Sequence, residues 1–146
     1  MKEFCKVTAE QEVLSYLKYF SDIFPHLIEK IDSYEAYAAK ISKYADIYVG
    51  LEDTRVFGIV VFYANDVQTG NAYISLVGVK DHDQGKGYGY WLLTKCQEVC
   101  VSQGMDRLSL EVDCDNQNAI SFYKRNGFNI GADTKRNSMY MSKQLG

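Results

Sequence analysis

The chain has 146 residues, 47% of them hydrophobic, and a formal net charge of −3. That is enough for one domain with a real core, and the acidic balance argues against a nucleic-acid partner, which ordinarily leaves a basic patch. No apolar run reaches the length of a membrane span, residues 1–6 lack the apolar core of a signal peptide, and four cysteines without C-x-x-C pairs fit reduced thiols in the cytoplasm.

In chain order, residues 4–7 read as a short first strand. Thr8-Ala9-Glu10-Gln11 fits a capping box, with Thr8 as N-cap and Gln11 at N3. Val13, Leu17, Phe20 and Phe24 then follow at helical steps, so one stripe of this helix is expected to be buried. Pro25, the only proline, ends or turns it. Asp32-Ser33 starts a second helix with Tyr37, Ile41 and Tyr44 on one face. Residues 45–51 and 56–63 read as strands around the polar turn 52–55. Asn65-Asp66 and Gly70 then close a second hairpin into the strand 72–79. Three strands joined this way make an antiparallel meander.

From Tyr90 the pattern is helical, with Leu92, Leu93, Cys96, Val99 and Cys100 recurring at three- and four-residue intervals and Gly104 placed just past the helix end. Cys96 and Cys100 share a face. Core packing accounts for them better than a metal, which would need further ligands nearby. Residues 107–112 form the next strand, and a return through a helix implies that it runs parallel to 72–79. Its alternation turns Leu108, Leu110 and Val112 to the core and Ser109, Glu111 and Asp113 to the other side. Asp115 or Asn116 caps a short helix with Ala119, Phe122 and Tyr123 on one face and Gly127 after its end. Residues 128–134 and 138–143 finish the sheet as a hairpin around Lys135-Arg136-Asn137. The expected architecture is one α/β domain over residues 1–146: a mixed, mostly antiparallel sheet with a central parallel pair and helices on both faces.

Between the strand 72–79 and the long helix lies Asp83-Gln84-Gly85-Lys86-Gly87-Tyr88-Gly89, with glycine at every second position from Gly85. Glycine admits positive φ and lets a ligand approach the backbone itself. A strand, a glycine loop and a helix start together make an anion site, because unpaired N–H groups and the positive end of the dipole point the same way. A pyrophosphate is the expected ligand. The alternative is that the glycines only turn the chain into the helix. A P-loop would need four residues between its glycines and then Gly-Lys-Ser/Thr, which is absent. The dinucleotide fingerprint G-x-G-x-x-G would need its third glycine one position later.

Gln84-Gly85-Lys86-Gly87-Tyr88-Gly89 does fit Q/R-x-x-G-x-G/A, and so resembles the acetyl-CoA loop of the GNAT superfamily of acyl-CoA-dependent N-acyltransferases. The block from Glu111 through Asn116, Asn118, Ala119 and Tyr123 to Asn126-Gly127-Phe128 resembles the strand, the N-x-x-A-x-x-x-Y helix and the G-F exit of the same enzymes. The resemblance implies that the two parallel strands splay apart to admit acetyl-CoA. It further implies that Leu76, Val77 and Val79 pair with the pantetheine, the Val79 N–H serving as an oxyanion donor. Residues Gln84, Gly85, Lys86, Gly87, Tyr88 and Gly89 would hold the diphosphate, with Asn116 and Asn118 beside them. Tyr123 takes the place of the general acid, and Glu111 that of the base, either directly or through a water chain. Asp113 and Glu52 are the fallback carboxylates, and His82 reads as a solvated loop residue.

The segment after the first strand often contributes to the acceptor site in such enzymes, which makes Phe24, His26, Tyr34 and Tyr37 candidates. The alternative is that they pack the helices on the sheet. The loop departs from the family in lacking a proline at 79–83 and in carrying Asp81 and Asp83, whose charge Lys80 and Lys86 are expected to offset. The implied activity is transfer of acetyl to a small amine, an amino sugar or a peptide N-terminus in a ternary complex. It involves no metal, nucleic acid or membrane, and a homodimer is admitted. The competing reading is an acyl-CoA sensor that keeps the fold without turnover.

Overall fold

The computed structural model describes residues 1–133 and 137–146; Thr134, Lys135 and Arg136, the expected centre of the last hairpin, lie outside the described residues. Eleven elements follow in the order β1 (Lys2–Lys6), α1 (Glu10–Tyr19), α2 (Tyr34–Tyr44), β2 (Asp46–Glu52), β3 (Arg55–Tyr63), β4 (Asn71–Val79), α3 (Tyr88–Ser102), β5 (Arg107–Asp113), α4 (Gln117–Arg125), β6 (Asn129–Asp133) and β7 (Ser138–Gln144). They form one seven-stranded sheet in the order β1-β2-β3-β4-β5-β7-β6. Only β4 and β5 pair in parallel; the other five pairings are antiparallel. The expected mixed sheet is therefore present, with β7 inserted between β5 and β6.

Two helical layers cover the sheet. On one face Ile47, Val49, Ile59 and Val61 meet Val13, Leu17 and Phe20 of the α1 side and Ala38 and Ile41 of α2. On the other, Val60, Phe62, Ile74, Leu108, Leu110 and Val112 meet Leu93, Cys96 and Cys100 of α3 and Ile120 of α4. Cys96 and Cys100 are both fully buried in this core. Gly104 and Gly127 follow α3 and α4 with φ of +85° and +91°, as helix-ending glycines do.

Local signals failed in three places where tertiary contacts decided the outcome. Ala9, not Thr8, precedes α1, and no side chain caps it. The helix ends at Tyr19, well before Pro25, because the chain must turn after the buried Phe20 to lay Ile23 and Phe24 on β4. A Cβ at Gly78 would stand 2.6 Å from the Phe24 ring and 3.0 Å from Ile23, so only glycine permits this approach. In α2, Ser33 caps as expected, its Oγ accepting from the Ala36 N–H at 3.0 Å, but the buried residues are Ala38 and Ile41. Tyr44 is exposed, with the Lys43 ammonium over its ring.

The feature that positions the site is an irregularity in β4. Val61 pairs with Leu76 and Phe62 with Ile74, leaving Ser75 as an extra residue. Such a bulge re-aims the side chains that follow it. Ile74 packs on the α3 side and Leu76 on the α1/α2 side, although they are two positions apart in one strand. The parallel ladder to β5 ends at the same point, at Ile74 and Leu110.

Candidate active site

Beyond Ile74 and Leu110, β4 and β5 continue for several residues without pairing. Strand β4 stays bonded to β3 as far as Val79, so its other edge presents backbone groups that a ligand can pair with. Two clefts meet this gap. One, of about 660 Å³, is lined by Val77, Gly78 and Val79, by Gln84, Gly85, Gly87 and Gly89, and by Asn116, Asn118, Phe122, Tyr123 and Arg125 of the α4 region. The other, of about 890 Å³, lies between the connector after α1 and the ends of β4 and β5; Asn116 lines both.

The alternating glycines divide their work. Gly85 and Gly87 have φ of +80° and +83°, and a Cβ on either would meet nothing within 4 Å, so the loop is a cradle open on its ligand side. Gly87 is also the N-cap of α3 and provides no side-chain acceptor. The first-turn N–H groups of α3 thus receive no side-chain cap from it and lie at the positive end of the dipole. Gly89 is a packing residue: its Cβ would stand 3.0 Å from the Phe122 ring, so it sets the approach of α3 to α4. Gln84 braces the turn, its Nε2 donating to the Val79 carbonyl at 3.0 Å and to Asp81 at 3.3 Å.

The acidic residues in the loop are handled differently from expectation. Asp83 is fully buried and ion-paired with Arg55 of β3, with His82 at 3.4 Å and Lys86 at 3.9 Å. Its charge is therefore met inside the protein. Lys80 points away from the loop, donating to the Tyr19 carbonyl at 2.7 Å and to Asp22 at 3.1 Å, where it holds the Asp22 carboxyl below its ordinary range. Of the two lysines expected to offset Asp81 and Asp83, only Lys86 lies beside Asp83, and its side chain is outside the cleft lining. Arg55→Ala leaves the buried Asp83 carboxylate short of its main partner, which is unfavourable. A lowered Tm in a thermal melt is expected, and it should be restored in part by Arg55→Lys.

Tyr123 stands on α4 with its ring edge-on to Phe122 and Phe128, at centroid distances of 5.4 and 5.6 Å. Burial pushes its phenol up to about 12. Glu111 is half-buried on β5, accepts from the Ser138 hydroxyl, and lines the second cleft with Asp113. Tyr123 and Glu111 thus approach the gap from its two sides. Glu52 lines neither cleft: it adds to burial in raising the phenol of Tyr88, which itself stacks on Phe57 at 4.1 Å. The Tyr88 ring is therefore core, and only its backbone belongs to the loop.

Of the acceptor candidates, Phe24, His26 and Tyr37 line the second cleft, whereas Tyr34 packs into the α1/α2 cluster. The Tyr37 hydroxyl is 2.8 Å from Ser75 Oγ, and burial pushes its phenol up to about 12. Leu76, expected against the cofactor, lines this second cleft instead, because the bulge at Ser75 turns it over. Arg125, Ser138 and Tyr73 also line the clefts and were not anticipated. Arg125 was legible in principle, three residues after Phe122 on one helix; Ser138 was not, since it depends on β7 lying beside β5. Among the described residues no group of three or more His, Cys, Asp or Glu could hold a metal.

Tyr37 and Tyr123 have a further consequence. Both phenols are raised from about 10 to about 12 in the fold, so the folded state holds protons that the unfolded chain releases. Their contribution is complete below pH 10 and is lost as pH rises from 10 to 12, by on the order of 1.4 kcal/mol per pH unit for each group. Urea melts across this range should show a steep loss of stability that is shallower in Tyr123→Phe.

The sheet is thus parted at its parallel pair, with a glycine loop and a helix start beside the parting. Residues 13–128 match the acetyltransferase (GNAT) family, and the chain belongs to that family. It is 30% identical over 120 residues to N-alpha-acetyltransferase 30 of Schizosaccharomyces pombe, covering 76% of this chain and 78% of the relative. In fold it is similar to a GNAT-family acetyltransferase of Desulfovibrio desulfuricans, with a TM-score of 0.79 at 17% identity over the whole of both chains. It is similar also to the PaiA N-acetyltransferase of Thermoplasma acidophilum solved with coenzyme A, with a TM-score of 0.76 at 17% identity over 99% of each chain. Among the described residues, no helix is long and apolar enough to cross a membrane.

Proposed function

We propose that the protein is an acetyl-CoA-dependent N-acetyltransferase that acetylates a primary amine by direct attack in a ternary complex. One observation carries this reading: the unpaired edge of β4 beyond Ile74 leads directly to an open cradle at Gly85 and Gly87. A long ligand with amides in its middle and a diphosphate at its end fits that combination. Bound acetyl-CoA supplies an activated thioester. The loop N–H groups hold phosphate, and Arg125 on the cleft wall adds positive charge. Backbone donors on the β4 edge, that of Val79 among them, are aligned with the strand and need no reorganisation as negative charge develops on oxygen.

The protein's own groups then handle two protons. On the acceptor side Glu111, oriented by Ser138, takes a proton from the amine directly or through water. On the other side the Tyr123 O–H, whose pKa burial raises to about 12, donates to the departing sulfur. The C–N bond forms as the C–S bond breaks. The amine loses one proton, coenzyme A leaves as the thiol with one, and no redox step is involved. None of the four cysteines lines either cleft, which supports direct attack over a covalent enzyme intermediate. None of the four is joined in a disulfide, and we place the protein in the reducing cytoplasm.

The test is thiol release from acetyl-CoA across a panel of primary amines. Release that depends on an amine supports the reading. Tight acetyl-CoA binding without such release would favour the sensor.

A further inference from the structure

The second cleft has two unlike ends. Glu111 and Asp113 of β5 lie at the gap, while Lys30 of the connector and Lys40 of α2 line the same cleft from the helical side. Lys40 follows Tyr37 by three residues and so shares its side of the helix. The Tyr37 hydroxyl reaches Ser75 in the β4 bulge. Lys40 therefore stands about one helical turn, roughly 5 Å, along α2 from Tyr37.

The lysines also differ from five others of the chain. Lys6, Lys18, Lys80, Lys86 and Lys95 each have a carboxylate within 4 Å. Lys30 and Lys40 have no ion-pair partner among the described residues, although two carboxylates line the same cleft. The cleft thus keeps opposite charges apart. A ligand carrying both signs would satisfy both ends at once; a plain monoamine would satisfy only the β5 end.

Resting on the proposed acetyl transfer, we infer that the acceptor is a small molecule carrying a primary amine and an anionic group, carboxylate or phosphate, on one framework. Its amine lies at Glu111 and Asp113 and its anion at Lys30 and Lys40. The cleft of about 890 Å³ suits a ligand of that size. Electrostatic complementarity of this kind selects among partners more than it tightens all of them.

The experiment measures acetyl-CoA-dependent thiol release with matched pairs: ethanolamine and phosphoethanolamine, an amino-acid amide and the free amino acid, and the peptide amides Ala-Asn and Ala-Asp. The wild type is compared with a double variant, Lys30→Gln with Lys40→Gln. We expect kcat/KM for the anionic small-molecule partner to exceed that for its neutral partner roughly tenfold. In the double variant the ratio should fall to near one, with the KM for acetyl-CoA unmoved. Which of the first two pairs responds separates phosphate from carboxylate. Equal rates within those pairs, a preference that survives in the double variant, or a response confined to the peptides would overturn the inference while leaving acetyl transfer intact. Absence of thiol release with every amine would instead overturn the transfer reading on which the inference rests.

Discussion

Tyr123→Phe is expected to lower kcat by at least roughly tenfold, with little change in the KM for acetyl-CoA. The substitution removes one oxygen and keeps the ring. The edge-on contacts with Phe122 and Phe128 therefore persist, and with them the wall of the cofactor cleft. The raised phenol refines the role. A thiol ordinarily titrates near 8.5, so full proton transfer to its thiolate from a phenol held at about 12 is uphill, and the proposed role is that of a hydrogen-bond donor to the charge building on the sulfur. A thiol analogue with a more stable thiolate should consequently depend less on Tyr123. Unchanged turnover in the Phe variant would remove Tyr123 from the mechanism.

Gly87→Val is expected to act on the donor side. At φ +83° a β-branched residue is strained by at least ~1–2 kcal/mol. That corresponds to a loss of roughly 2–8 °C in Tm for a domain of this size. The larger effect falls on binding, because the new side chain enters the open face of the cradle. The loss of one hydrogen bond to a charged acceptor raises the KM for acetyl-CoA roughly tenfold to a hundredfold. Gly89→Ala provides the contrast. Its Cβ would press on the Phe122 ring at 3.0 Å, so stability should suffer before binding does. Acetyl-CoA titration and thermal melts of the two variants separate a ligand-facing glycine from a packing glycine.

That distinction shows where sequence reasoning reaches its limit. The alternation of Gly85, Gly87 and Gly89 reads as an anion loop, but all three look alike in one dimension; only the arrival of Phe122 from α4 separates the third. The strands, the helix ends at Gly104 and Gly127 and the caps at Ser33 and Asn116 were legible because each rests on local backbone chemistry. The bulge at Ser75 was not, because Ile74-Ser75-Leu76 reads as ordinary strand. Yet that bulge lies where the parallel ladder ends, and Leu76 beyond it lines the second cleft and not the first. Charge was misread for a similar reason. In the sequence Asp83 reads as a burden on phosphate binding and Lys80 as its counterweight, but Arg55, distant in sequence, pairs with Asp83, and Tyr19 and Asp22 hold Lys80.

The most direct measurement is the initial rate of thiol release with acetyl-CoA and an accepted amine varied together. Transfer within a ternary complex predicts double-reciprocal lines that intersect, and no stoichiometric burst of thiol from acetyl-CoA alone. Parallel lines with a burst equal to the enzyme concentration would contradict it, because the acetyl group would then rest on the protein before the amine arrives.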